Sequence, residues 1–171
     1  TKARDGALSL LINGKPDAST GDDMENQVLA GQLPLLLRPQ ARDVLVIGLG
    51  SGITLGSVLN HPVKSVDVIE IDEVVPRAAR FFDDYSHAAL SDSRVNLIIA
   101  DGRHFLQKPG TAYDVISSEP SNPWVSGSSK LFTKEYFKLM KSKSKADAVV
   151  IQWVNMYAID VKGLASIIRS F

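Results

Sequence analysis

Val44-Leu-Val-Ile-Gly-Leu-Gly-Ser-Gly52 sets four apolar residues directly before a loop with glycine at every second position. A short apolar run of this kind reads as a strand buried on both faces of a parallel sheet. Gly48, Gly50 and Gly52 let the chain turn sharply into a helix and let a ligand come close to the backbone. A dinucleotide fingerprint would carry glycine or alanine at the next position, which here is Ile53. The shorter Gly-x-Gly-x-Gly form suits a nucleoside with no pyrophosphate to cradle, as in S-adenosylmethionine. A tight strand–helix turn without a ligand is the plainer alternative.

Outward from this loop, β-branched runs alternate with helical stretches. The predicted strands are Asp43–Ile47, Ser65–Ile69, Val95–Ile99, Tyr113–Ser117 and Ala148–Trp153. The predicted helices are Ile53–Leu59, Glu73–Asp83, His104–Gln107 and Thr133–Lys143. Asp72 is expected to cap the second helix, with Pro76 tolerated in its first turn. The alternation implies right-handed crossovers and an α/β fold: a doubly wound, mostly parallel Rossmann-like sheet of the S-adenosylmethionine-dependent methyltransferase type. Residues 1–42 read differently. Ala7–Ile12 ends at Asn13-Gly14, a hairpin turn signal, and Met24–Leu37 looks helical until Pro34 interrupts it. The expected division is an N-terminal β element and helix over 1–42 and a nucleoside-binding domain over 43–171.

The composition narrows the function classes. With 171 residues, 44% apolar and 22% charged, the chain supports one core and is not disordered. Lys plus Arg is 19 and Asp plus Glu is 19, so no basic field favours nucleic acid. Without cysteine there is no disulfide, iron–sulfur cluster, zinc–thiolate site or thiol catalysis. The apolar stretches Leu8–Ile12 and Leu33–Leu37 are far short of the roughly 20 residues a bilayer requires, so this segment is not expected to contact a membrane. The chain opens on Thr1 and stops at Phe171 within a helical pattern, which suggests a piece of a longer, cytoplasmically placed protein.

Three further signals fall at strand ends. Glu70, 18 residues past Gly52, can accept hydrogen bonds from both hydroxyls of a ribose. Asp101-Gly102 pairs a carboxylate with a freed backbone, which suits an adenine amino group. Ligands of such sheets lie beyond the carboxyl ends of the strands, where Gly50, Glu70 and Asp101 all fall. The fourth strand runs into Ser117-Ser-Glu-Pro-Ser-Asn-Pro-Trp124, where Pro120 biases Glu119 toward an extended conformation. Asn122 and Trp124 form the lip of the crevice, and Val125–Lys130 has the small-residue composition of a lid. His61, His87 and His104 show no metal-ligand spacing, so no metal is expected. Lys138, Lys141, Lys143 and Lys145 read as complements to a helix C-terminus.

Taken in order, these motifs resemble the spermidine/spermine synthases, the polyamine aminopropyltransferase family. Ile12-Asn-Gly14, Asp22-Asp23, Leu33-Pro-Leu35, the glycine loop, Ile69-Glu-Ile-Asp72, Asp101-Gly102, Tyr113-Asp-Val-Ile116, Asn122-Pro123, Leu131-Phe132 and Gln152-Trp153 carry the likeness. The Ser-Glu-Pro-Ser-Asn-Pro-Trp form looks most like the bacterial branch fused to transmembrane segments. The resemblance implies aminopropyl transfer from decarboxylated S-adenosylmethionine to a polyamine, releasing methylthioadenosine. It implies a nucleoside site at Gly48, Gly50, Ser51, Gly52, Glu70, Ile71, Asp101 and Gly102. The amine site would comprise Gln27, Ser51, Glu119, Asn122 and Trp124, with Glu119 as catalytic proton acceptor. The departures fall mostly on the acceptor side. Ser51 and Asn122 stand where the family has carboxylates, Asn26-Gln27 replaces a Tyr-His pair, and Asp17 replaces a glutamine. The resemblance implies a larger β domain and two further strands in the family's full proteins, so a truncated version is expected here, with a homodimer expected as well. A methyltransferase acting with intact S-adenosylmethionine, and a non-catalytic nucleoside-binding domain of a larger membrane protein, are the alternatives.

Overall fold

The structure, a computed structural model, describes residues 1–4, 6–125, 127–157 and 159–171. Its centre is a five-stranded, wholly parallel sheet in the order β5-β4-β3-β6-β7: β3 Asp43–Ile47, β4 Ser65–Glu70, β5 Val95–Ile99, β6 Tyr113–Ser118 and β7 Ser144–Gln152. The chain steps outward from β3 to β4 and β5, then crosses back to place β6 on β3's other side. That reversal opens a crevice at the carboxyl ends of β3 and β6. The fold class is the one the strand–helix alternation predicts.

Alternation within β3 shows why the sheet is covered on both faces. Val44 and Val46 enter one core with Leu35, Leu55, Val58 and Val68, while Leu45 and Ile47 enter the other with Leu106, Tyr136, Phe137 and Met140. Successive strand side chains point to opposite faces, so a strand apolar at every position needs a helical layer on each side. The helices of the first layer include α1 Met24–Leu37 and α2 Ile53–Leu59, which pack on each other; the second contains α5 Gly102–Gln107 and α6 Lys134–Ser142. The chain's last described helix is α7 Val161–Ser170.

A separate antiparallel pair, β1 Ser9–Ile12 and β2 Lys15–Ser19, precedes α1. Its two-residue turn has Asn13 at φ 51° and Gly14 at φ 78°, the left-handed pair an Asn-Gly hairpin turn uses. The hairpin lies over the glycine loop: a Cβ on Gly50 would sit 3.6 Å from the Ala18 Cβ.

Several sequence expectations change. Pro34 does not end α1; the helix runs on to Leu37. Proline lacks the N–H that would bond Ala30 O, and the Ser117 hydroxyl reaches that carbonyl instead, at 3.3 Å. The single helix expected over Glu73–Asp83 is α3 Val75–Ala79, a 3-10 turn Arg80–Phe82 and α4 Asp83–Ser86. Asp72 caps the turn before α3, accepting from Val74 N–H at 2.8 Å, rather than the helix itself. β7 starts at Ser144, four residues before the expected strand, and ends at Gln152. Lys145 does not serve a helix end: its ammonium reaches Asp43 at 2.6 Å and Asp114 at 2.9 Å. Ser128–Phe132, which overlaps the end of the expected lid Val125–Lys130, forms a 3-10 turn, and Ser126 of that lid lies outside the described residues.

Candidate functional site

The crevice is a cleft of about 400 Å³, of a size for a small molecule, lined by the glycine loop, the ends of β4, β5 and β6, the hairpin and the head of α1. Gly48 takes φ 97°, and a Cβ there would meet Glu119 O at 2.6 Å. Only glycine therefore lets the loop after β3 pass against the end of β6. Gly52, at φ 80°, starts α2 away from the cleft, beside Ser86, and is not part of the lining.

Glu70 is fixed by backbone. Its Oε2 accepts Leu49 N–H at 3.0 Å and its Oε1 accepts Asp72 N–H at 2.9 Å. The carboxylate thereby joins the glycine loop to the turn after β4, and oxygens bonded once retain lone pairs for a ligand hydroxyl. Exposed Ile71 flanks it on the lining. Asp101 caps α5: its Oδ1 accepts His104 N–H at 2.8 Å, while Asp101 and Gly102 both line the cleft. The local signal for this cap is an aspartate directly before a short helix, whatever residue stands three positions on.

The β6 end is built from side chains. Glu119 accepts from Thr54 Oγ1 at 2.8 Å and from Ser117 Oγ at 3.1 Å. Burial pushes its carboxyl up to about 7, against the lowering effect of the two hydroxyls. Beneath it, buried Ser51 donates to Gln27 Oε1 at 2.5 Å, and Gln27 Nε2 donates to Ser19 O and Asp23 Oδ2. Ser51 thus presents no charge to the cleft and is tied to the head of α1. Asp17 reaches across from β2 to accept from Ser121 Oγ at 2.9 Å. Though exposed by area, the Asp17 carboxyl is raised above its ordinary value by the cleft walls that withdraw it from water, with the Asp23 charge adding to the effect.

Gln27, Ser51 and Glu119 therefore converge on the cleft, whereas Asn122 and Trp124 do not line it. Buried Asn122 faces the segment after β7, donating to Tyr157 Oη at 3.0 Å and accepting from Asn155 Nδ2. Trp124 packs edge-on against Tyr157 with ring centroids 5.2 Å apart. Thr54, Ser117, Asp23, Asn155 and Tyr157 escaped the sequence reading. Ser117 and Asp23 lie inside motifs that stand out, Ser117-Ser-Glu-Pro-Ser-Asn-Pro-Trp124 and Asp22-Asp23, without a role of their own there, and Thr54, Asn155 and Tyr157 belong to none. Among the described residues, no group of three or more His, Asp or Glu side chains is gathered for a metal ion, and no helix is long and apolar enough to cross a membrane.

Comparison with known proteins adds to this geometry. The spermine/spermidine synthase domain family matches residues 24–168. A spermidine synthase of Dictyostelium discoideum is 31% identical over 163 residues, covering 92% of this chain and 56% of that protein. A putrescine N-methyltransferase of Nicotiana tabacum is 34% identical over 134 residues, covering 74% of this chain and 35% of that protein. The chain thus spans about half the length, or less, of these curated relatives. Among solved structures, a spermidine synthase in complex with the transition-state analogue AdoDATO superposes with a TM-score of 0.75 at 28% identity, over 82% of this chain and 48% of that one. Human methyltransferase-like protein 13 in complex with SAH superposes with a TM-score of 0.63 at 23% identity, over 86% of this chain and 68% of that one, a likeness of fold.

Proposed function

This chain belongs to the spermine/spermidine synthase family, and we propose that its cleft carries out aminopropyl transfer from decarboxylated S-adenosylmethionine to a polyamine-type amine. Glu119 is the observation that carries the reading. A carboxyl raised to about 7 at the cleft's β6 end holds and releases a proton near neutral pH, as a base for an attacking ammonium must. The glycine loop, Glu70 with Ile71, and Asp101 with Gly102 take the nucleoside, Glu70 on the ribose hydroxyls. The acceptor's reacting amine loses its proton to Glu119, and its nitrogen attacks the carbon next to the sulfonium. The carbon–sulfur bond breaks, sulfur keeps the electron pair, and neutral methylthioadenosine leaves.

Asp17 and Asp23 supply charge for the acceptor's distal ammonium, charge that the neutral Ser51 and Asn122 do not provide. The hairpin and α1, residues 1–42, form the acceptor-side wall, and residues 43–171 the nucleoside-binding unit. The Ser-Glu-Pro-Ser-Asn-Pro-Trp loop supports membership in the branch fused to transmembrane segments, which would place this domain at the cytoplasmic face as part of a larger, homodimeric protein. Methyl transfer from intact S-adenosylmethionine is the second reading, favoured by the likeness to the tobacco putrescine N-methyltransferase and by the neutral Ser51. The test is calorimetric titration with methylthioadenosine, S-adenosylmethionine and its decarboxylated form, followed by chromatography of putrescine reactions. Tighter binding of the decarboxylated donor and release of methylthioadenosine support aminopropyl transfer. Methylated putrescine supports the second reading, and the absence of product with either donor overturns both.

A further inference from the structure

Thr54 and Ser117 stand between Glu119 and the backbone of α1. Thr54 Oγ1 is 2.8 Å from Glu119 Oε2 and 3.0 Å from Gln27 O. Ser117 Oγ is 3.1 Å from Glu119 Oε1 and 3.3 Å from Ala30 O. Each hydroxyl has one proton to give, so it serves one of its two acceptors at a time. An ionised Glu119 draws both protons to itself. A protonated Glu119 carries its own and needs one fewer donor, which lets a hydroxyl turn to the helix carbonyl behind it. Ala30 O is open to this exchange because Pro34, four residues on, has no N–H to occupy it. Both charge states of the carboxyl therefore find hydrogen-bond partners without movement of a heavy atom. A leftover buried donor or acceptor would otherwise carry the full desolvation penalty.

We propose that Thr54 and Ser117 are positioning residues, a pair of switching hydroxyls that lets Glu119 take up and return a proton inside the cleft, with the proline-freed carbonyl of Ala30 as one of their resting places. The inference rests on the reading of Glu119 as proton acceptor, but its primary test does not need turnover. The other charged groups on the cleft lining are Asp17 on β2, Asp23 at the head of α1, Glu70, Asp72 and Asp101 after the strand ends, and Arg103 and Lys130. None of these is altered in the test.

The Glu119 carboxyl carbon is followed by NMR in a carbon-13 glutamate-labelled chain, assigned with Glu119→Gln, in the wild type and in Thr54→Val, Ser117→Ala and Pro34→Ala. Loss of a hydroxyl removes a donor from the ionised form, so Thr54→Val and Ser117→Ala each move the midpoint up by about half a unit or more. Thr54→Ser restores it. Pro34→Ala supplies an N–H to Ala30 O, leaves Ser117 with Glu119, and moves the midpoint down. Where turnover is measured, the pH at half-maximal rate follows the same shifts. A purely structural role would lower thermal stability and leave the midpoint in place. A midpoint in Thr54→Val and Ser117→Ala within 0.2 units of the wild type overturns the proposal, as does a wild-type Glu119 that titrates at the ordinary glutamate value. Shifted midpoints in a chain that transfers nothing uphold the hydroxyl pair and overturn the proposed reaction instead.

Discussion

The two ends of the cleft are built by different means. At the β4 and β5 end, Glu70 and Asp101 are held by backbone N–H groups at most three residues away or in the neighbouring glycine loop. At the β6 end, Glu119 and Asp17 are held by side chains: Glu119 by the nearby Ser117 and by Thr54, 65 residues distant along the chain, and Asp17 by Ser121, 104 residues distant. The first arrangement tolerates substitution of surrounding side chains, because its donors exist whatever residue carries them. The second depends on particular hydroxyls and amides. The resemblance read from the sequence implies the same division, with the departures falling mostly on the proposed acceptor side.

The largest effect should come from Gly48, where the two ends touch. A Cβ there meets Glu119 O at 2.6 Å with the backbone at φ 97°, so Gly48→Ala should destabilise the fold by about 3 kcal/mol or more, read as a lowered melting temperature. Unchanged stability would mean that the loop and β6 are not in contact. Next, Glu119→Gln should lower turnover about a hundredfold or more and leave methylthioadenosine affinity within about twofold, which separates the two ends functionally. Glu70→Gln should do the reverse and weaken methylthioadenosine binding about 10- to 100-fold in calorimetry, because one of two accepting oxygens is replaced by a donor. Asp17→Asn should raise the KM for a diamine about tenfold with nucleoside affinity unchanged; equal loss with a monoamine acceptor would remove the charge argument.

The pH dependence of stability sharpens the comparison further. Glu119 has a folded-state value near 7, raised from 4.5, so its stabilising contribution is complete below 4.5 and is lost as the pH rises to 7. Glu119→Gln should therefore gain stability relative to the wild type as the pH rises from 5 to 7, by roughly 3 kcal/mol at the upper end, in parallel thermal melts. The smallest effect is expected at Asn122. Because it faces Tyr157 rather than the cleft, Asn122→Asp should leave diamine affinity within about twofold. A marked gain would return Asn122 to the acceptor site.

What was legible in the sequence and what was not divides along the same line. The five strands, the glycine loop and the placing of Glu70 and Asp101 at strand ends were readable, because β-branched runs, glycine spacing and strand-end position are local. Pro34 was read as a helix breaker, because its cost to an isolated helix is local too. Its offsetting partner is Ser117, 87 residues from Ala30. Asn122 and Trp124 were placed at the crevice because they follow β6, yet a single turn of chain decides whether a side chain faces the cleft or the tail of β7.

The sequence by itself determined the parallel sheet and the glycine-loop edge of its cleft, since burial on two faces imposes a pattern that each strand records within a few residues. Only the tertiary structure decided the surroundings of Glu119. Thr54, Ser117, Gln27 and Ala30 meet there because α1, ahead of β3, and α2, in the β3–β4 crossover, pack together beside β6. Contacts formed by stacking leave no periodic trace in any one of the segments that make them.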